Sequence, residues 1–141
     1  MTSKNVATVM RQFEGFNAHD AQAAANGYTA DAVLNDHATA LSVKGPAEIM
    51  DQVSVFLNAA SDGRVAINAT YESGNVVIAE ITWTGTNDGP LGPLPATGRP
   101  VTLDAVDILH FDNEGRIVQE DWYYDQLMLM AQLGHAAAPP Q

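Results

Sequence analysis

The spacing of apolar residues changes once along this chain of 141 residues, at Gly63, and the change limits the folds open to it. Before Gly63, apolar side chains recur every three or four residues, which is the spacing of amphipathic helices. After Gly63 they alternate with polar residues, which is the period of strands with one buried face. Helices followed by antiparallel strands predict an α+β fold, in which the helices cover one face of a curved sheet and leave a pocket beneath them.

Caps, glycines and prolines place the elements within this order. Three helices are predicted at about residues 3–18, 20–28 and 46–57, with a brief strand at 32–34 before the third. Four long strands are predicted at about 65–71, 76–86, 101–111 and 116–124, with a last helix at 126–133. One domain therefore spans residues 1–134, and residues 135–141 are predicted to form a flexible tail.

The charge of the chain excludes several classes of partner. Six Lys and Arg residues face 17 Asp and Glu residues, a net charge of −11 that repels phosphates and anionic headgroups, so nucleic acid and membranes are not expected partners. The chain has no Cys, which excludes disulfides and thiolate metal sites, and its four His residues are scattered. No metal site is therefore expected. Without a signal-like or membrane-spanning apolar run, the expected location is the cytoplasm.

Two acidic residues lie where the strand pattern expects buried side chains. Asp107 falls on the otherwise apolar face of the third long strand, and Asp121 falls on the face of the fourth that also carries Ile117. Both carboxyl groups are predicted to point into one pocket, where burial and mutual repulsion raise their pKa and suit them to acid–base catalysis. The alternative is that either acid only accepts hydrogen bonds, or faces solvent if the strand phase is shifted by one residue.

Five further residues are predicted to contact a ligand in this pocket. Asn35 and His37 follow the first short strand, where an ordinary polar turn is the alternative. Trp83, Gln119 and Tyr123 lie on the predicted inward faces of their strands. The aromatic cluster Trp122-Tyr123-Tyr124 suits a flat ligand, although half of it must face away and such residues are also common in cores and interfaces.

The segment Gly115 to Gly134, GRIVQEDWYYDQLMLMAQLG, resembles the closing motif of the SnoaL-like polyketide cyclases, in which an acid and a Trp end the last strand and a QLG helix follows. FNAHD at 16–20, GPAEI at 45–49 and the Gly/Pro-rich loop at 88–100 extend the resemblance to about residues 5–134. The resemblance implies the cone-shaped α+β barrel of the nuclear transport factor and ketosteroid isomerase superfamily, with a deep hydrophobic pocket and a dimer or tetramer.

Members of that family close a ring of a polyketide by intramolecular aldol condensation, without a metal or cofactor. The resemblance implies that Asp121 is the acid/base carboxylate and that Asn35 is a pocket residue, and it places Asp107 where the family has a pocket histidine. The expected function is a cyclase acting on a small apolar or aromatic, polyketide-like ligand. Ketone isomerisation, limonene-type epoxide hydrolysis and non-catalytic binding of a small molecule stay open on the same fold.

The outward face of the sheet is predicted to join two copies of the chain. Its apolar residues are expected to be Val106, Ile108, Val118 and Trp122, which would expose a large apolar surface in a monomer. A homodimer through this face, or a homotetramer, is the predicted assembly.

Overall fold

The structure, a computed structural model, describes residues 2–138 and 140 and has the predicted α+β fold, with helices on a curved sheet. The helices are α1 (Lys4–Asn17), α2 (Ala21–Ala24), α3 (Pro46–Ala59) and α4 (Gln126–Leu133). The strands are β1 (Tyr28–Asp36), β2 (Leu41–Lys44), β3 (Arg64–Ser73), β4 (Val76–Thr86), β5 (Pro100–Phe111) and β6 (Ile117–Tyr124). Residues 139 and 141 of the predicted tail lie outside the described residues, and the flexibility of 135–141 stays a prediction.

Local sequence signals fix most of the helix ends. Ser3, Asp20 and Asp125 each accept a hydrogen bond from the backbone N–H three residues ahead, and so begin α1, α2 and α4. Pro46 is the first residue of α3, where its missing N–H leaves no hydrogen bond unmade. Gly134 ends α4 in the left-handed conformation, with φ of 84°.

The segment between α1 and α3 differs from the sequence prediction. α2 is one turn rather than a helix reaching Tyr28, because Gly27 turns the chain at φ of 96° and Tyr28 already begins β1. β2 was predicted as loop, yet it pairs antiparallel with β1. It is a short and mostly exposed edge strand, so its residues carry little of the alternation that marks a strand in sequence.

The sheet has the strand order β2-β1-β6-β5-β4-β3. All neighbouring strands are antiparallel except β1 and β6. These two are parallel, so their C-terminal ends lie side by side, with Asp36 opposite Trp122. The edge strands β2 and β3 do not pair with each other, so the sheet is curved but unclosed, not a complete barrel.

The core lies on one face of this sheet. Val9 of α1, Ile49 of α3 and Leu129 of α4 are fully or almost fully buried, each in a separate apolar cluster that includes strand residues. This face is called the inner face below, and the opposite face the outer face. None of the helices among the described residues is long and apolar enough to cross a membrane.

Candidate active site

A cavity lies between the helices and the inner face of the sheet. Its volume is about 100 Å³, the same order as the roughly 150 Å³ cavity that holds one benzene ring. Aromatic and aliphatic side chains from α1, α3 and the sheet form most of its wall. The polar side chains that reach it include Gln12, Tyr28, Asp107 and Glu120. The site is therefore an apolar chamber with a small group of polar atoms, the usual form of a small-molecule site.

Asp107 lies in the wall of this cavity, as the sequence predicts. The residue is 4% exposed, and no hydrogen-bond partner faces its Oδ1 atom among the described residues. Burial raises the pKa of Asp107 well above its ordinary value, and the charges of Glu120 and Asp121 raise it further. Asp107 is therefore the carboxyl group of the cavity that keeps its proton most readily.

Glu120 is the second carboxyl group of the cavity. Its Oε1 accepts a hydrogen bond from the hydroxyl of Tyr28, and its Oε2 accepts one of 2.7 Å from the indole N–H of Trp122. Burial, and next the charge of Glu120, raise the pKa of Tyr28 well above its ordinary value, so the hydroxyl remains a donor. Because both oxygens of Glu120 accept hydrogen bonds, Glu120 is the acceptor of the Asp107–Glu120 pair, and Asp107 is the member that keeps its proton.

Asp121 does not lie in the cavity, so the predicted shared pocket of Asp107 and Asp121 is wrong. In the β5–β6 ladder Asp107 is opposite Trp122, whereas Asp121 is opposite Ile108 on the outer face. The cause is an irregularity at the start of β6, where His110 pairs with Gln119 but the next residue of β5 pairs with Ile117. One extra residue there reverses the phase of every later side chain.

Asp121 is instead the centre of a polar cluster on the outer face. Its carboxylate accepts hydrogen bonds from Asn35 at 3.0 Å, His37 at 2.8 Å and Gln119 at 2.9 Å, and His110 lies 3.7 Å away. Burial raises the pKa of Asp121, but the hydrogen bonds from His37, Gln119 and Asn35 outweigh it and hold the pKa below its ordinary value. The prediction of a raised pKa is therefore wrong for this residue.

The predicted site residues divide between the two faces. Asn35, His37, Gln119 and Tyr123 gather around Asp121, with the His37 ring stacked on Tyr123 at a centroid distance of 4.2 Å. Their predicted position in the pocket is wrong, because they follow the same phase as Asp121.

Only two of the predicted site residues, Asp107 and Trp83, line the cavity. The outer cluster contains two histidines and an aspartate. Nevertheless, the part of the chain that the structure describes has no set of three such side chains placed to hold a metal ion.

Sequence reasoning missed Glu120, Tyr28 and Trp122. One sequence signal favoured an inward position for Glu120 and Trp122. Glu120 alternates with Trp122 and Tyr124, and large aromatic residues are more often buried than Gln or Asp. For Tyr28 there was no such signal, because it was assigned to a helix that ends four residues earlier. Trp122 was expected on the outer face and lines the cavity instead.

A further buried acid, Asp36, supports the cavity from β1. Asp36 is 1% exposed, and it accepts hydrogen bonds from the hydroxyl of Tyr124 at 2.8 Å and the side chain of Gln52 at 3.4 Å. Burial and the bond to Asp36 raise the pKa of Tyr124. These contacts fix the ring of Tyr124 in the cavity wall, so Asp36 positions the wall rather than facing a ligand.

The opposite environments of the two predicted acids have a measurable consequence. In a carboxyl-carbon NMR titration of the free protein, we expect Asp107 to titrate well above, and Asp121 below, the ordinary aspartate range. The Asp121→Asn variant assigns the second signal. Two ordinary midpoints near 4 would contradict the site described above and would favour a protein that only binds its ligand.

Three comparisons relate this chain to known proteins. The family model described as SnoaL-like polyketide cyclase matches residues 7–133. No match was found among curated proteins. Of the solved structures, a SnoaL-like polyketide cyclase candidate from Jannaschia sp. CCS1 matches with a TM-score of 0.84 and 21% identity, covering 97% of this chain and 94% of that one.

Further solved structures share the fold. AclR, a candidate hydroxylase from Streptomyces galilaeus, matches with a TM-score of 0.82 and 20% identity over 97% of this chain and 85% of its own. A protein with a ketosteroid isomerase-like fold from Catenulispora acidiphila DSM 44928, solved in complex with trimethylamine, matches with a TM-score of 0.78 and 21% identity over 94% and 97%. At these identities the likeness shows the fold alone.

Proposed function

Because the chain belongs to the SnoaL-like polyketide cyclase family, we propose that it is a cofactor-free enzyme that closes a ring in a polyketide-like substrate by intramolecular aldol condensation. The observation that supports this most is the Asp107–Glu120 pair, which holds one proton inside an apolar cavity. The proposal keeps the expected reaction but moves the acid/base carboxylate from Asp121 to Glu120.

The reaction needs one proton to leave carbon and one to reach oxygen. Glu120 removes a proton from the carbon next to a ketone, and the resulting enolate attacks a second carbonyl carbon of the same molecule. A carbon–carbon bond forms, and the new alkoxide takes the proton back from Glu120. No oxidant, reductant or second substrate is consumed, which fits a site built from carboxyl, phenol and indole groups.

Asp107 supplies the stabilising contact in this scheme. A neutral carboxyl group donates a hydrogen bond to a developing enolate oxygen, which an ionised one cannot do. The donor is already in place before the reaction, and the apolar wall keeps water from competing for the oxygen, so the stabilisation is strong. A carboxyl group thus fills the position where the resemblance implies a histidine.

The cavity limits the part of the substrate that reacts. A volume of about 100 Å³ encloses a single small ring. The proposal therefore places only the ring that is being closed beside the Asp107–Glu120 pair, and any remaining part of a larger substrate towards the mouth.

Isomerisation of an unsaturated ketone is the second candidate, and one observation favours it. A neutral acid and a tyrosine hydroxyl, here Asp107 and Tyr28, lie in one apolar cavity beside a carboxylate able to carry a proton between two carbon atoms. Epoxide hydrolysis of the limonene type is not supported, because no arginine is among the described residues that line the cavity.

The cyclase proposal is tested with a substrate of the size of the cavity. We choose heptanedione, an acyclic diketone with three methylene groups between two methyl ketones, whose aldol closure and loss of water give a methylcyclohexenone. Formation of the conjugated enone is followed by its ultraviolet absorbance and by mass spectrometry. Enzyme-dependent ring closure supports the proposal. Isomerisation of an unsaturated ketone without ring closure would favour the second candidate.

We also propose that the outer face joins two copies of the chain. Tyr71, Val118 and Tyr123 are 54%, 38% and 44% exposed, and Val106 and Ile108 lie beside them half-buried. Covering this area stabilises a dimer through apolar burial. Sedimentation velocity is expected to show a dimer, and Tyr71→Lys with Tyr123→Lys to shift it to a monomer. A monomeric wild-type protein at high concentration would contradict the proposal.

A further inference from the structure

The cavity is lined by two carboxyl groups, those of Asp107 and Glu120, and by no Lys, Arg or His among the described residues. The two oxygens of Glu120 accept hydrogen bonds, as those of a carboxylate do. A buried charge without a counter-ion is costly, and hydrogen bonds from Tyr28 and Trp122 offset only part of that cost. A cation entering the cavity would therefore remove an electrostatic penalty that the folded protein already carries.

The wall of the cavity suits a particular type of cation. Phe56 lies at its centre, with ring centroids 5.5, 5.7 and 6.0 Å from those of Trp83, Trp122 and Tyr124. Aromatic faces attract cations, and Trp and Tyr attract them most when water is excluded. A wall of such rings favours an organic cation with an apolar surface over a strongly hydrated metal ion.

One carboxyl oxygen in this wall, Oδ1 of Asp107, has no hydrogen-bond partner among the described residues. Asp107 is 4% exposed and lines the cavity. Buried oxygen atoms of this kind are rare in folded proteins, because each unmade interaction costs free energy. An organic cation would meet this oxygen through N–H or polarised C–H groups, and the carboxylate of Glu120 through its charge.

From these three observations we infer that the cavity also binds a small alkylammonium ion, of the quaternary ammonium class to which choline belongs. The ion lies against the aromatic wall, with the Asp107–Glu120 pair as its counter-ion. The volume of about 100 Å³ admits the trimethylammonium head but little more. The net charge of −11 on the whole chain draws cations towards the protein. Such an ion and a diketone occupy the same space, so each excludes the other.

The test compares choline with the neutral alcohol in which a carbon atom replaces its nitrogen. The two have nearly the same shape, so a difference in affinity reports the charge. Both tryptophans of the chain line the cavity, and tryptophan fluorescence follows binding directly. We expect choline to bind at least about tenfold more tightly than the alcohol, because only the cation is attracted by the carboxylate of Glu120 and by the faces of the aromatic rings. Equal binding of the two, or no binding of choline, would overturn the inference.

Two variants locate the binding. Glu120→Gln removes the charge of the cavity and is expected to abolish the preference for choline. Asp121→Asn removes the same charge from the next residue, on the outer face, and is expected to leave the preference unchanged. A preference that survives Glu120→Gln would overturn the assignment. The comparison of choline with the alcohol uses the wild-type protein, so it does not depend on the folding of any variant. Binding is measured without turnover, so the choline result is independent of whether the protein is a cyclase.

Discussion

Replacing Glu120 by Gln is expected to lower kcat for ring closure of heptanedione by about 10²- to 10⁴-fold, the share of rate that a positioned general base contributes. Gln has nearly the shape of Glu and still offers an oxygen to Tyr28 or Trp122, but it cannot take a proton from carbon. The loss is expected in kcat more than in KM, because the group acts on the transition state.

The neighbouring residue provides the matched control. Asp121→Asn changes the charge by the same amount one position further along β6, but on the outer face, where its carboxylate only accepts hydrogen bonds. We expect this variant to keep a kcat close to that of the wild type. The opposite outcome, an active Glu120→Gln and an inactive Asp121→Asn, would restore the assignment made from the sequence. Circular dichroism of both variants separates loss of function from loss of fold.

Removing the carboxyl group of Asp107 is expected to change how the stability of the protein depends on pH. Its pKa is near the ordinary aspartate value in the unfolded chain and well above it in the folded protein. Between these two values the folded state holds one proton more, so its contribution to stability, complete below about pH 4, is lost as the pH rises. The slope is about 1.4 kcal/mol for each pH unit.

The Asp107→Asn variant has no carboxyl group to titrate at this position. Above about pH 4 the wild type should therefore lose unfolding free energy relative to the variant with each further rise in pH. Urea unfolding at a series of pH values measures it. Asp121→Asn is the contrasting control: the pKa of Asp121 is lowered in the folded state, so its contribution is lost only as the pH falls below the ordinary aspartate range. A wild-type minus Asp107→Asn difference that stays constant from about pH 4 to 8 would contradict a protonated Asp107.

Much of the fold was predictable because its signals are local. The caps at Ser3, Asp20 and Asp125 and the stop at Gly134 depend on hydrogen bonds within a few residues, and α1 and α4 begin and end within a residue of the predicted bounds. The four long strands are confirmed as well, since the period of two holds over most of their combined length despite irregular pairing in β3 and β6. The failures, α2 and β2, are short, and short elements depend on their partners rather than on their own sequence.

The candidate site was only partly predictable. Asp107 was placed correctly because β5 is regular along its length, so its phase could be read from Val101 to Phe111. In β6 the inward and outward faces were assigned by counting alternate residues from Ile117. The irregular pairing between Ile117 and Gln119 breaks that alternation, and no Gly or Pro marks the break in the sequence. The error moved Asp121 into the pocket and Glu120 out of it.

The sequence by itself determined that this chain forms an α+β domain with an acidic surface and a carboxyl group buried on β5, because those properties depend on period, capping and composition. Only the tertiary structure decided which second acid shares the cavity with Asp107. That choice depends on how β6 pairs with β5, and a single extra residue in a strand exchanges its two faces without changing its composition. The 17 acidic residues made a pair of acids plausible, and the pairing of two strands selected Glu120 as the partner.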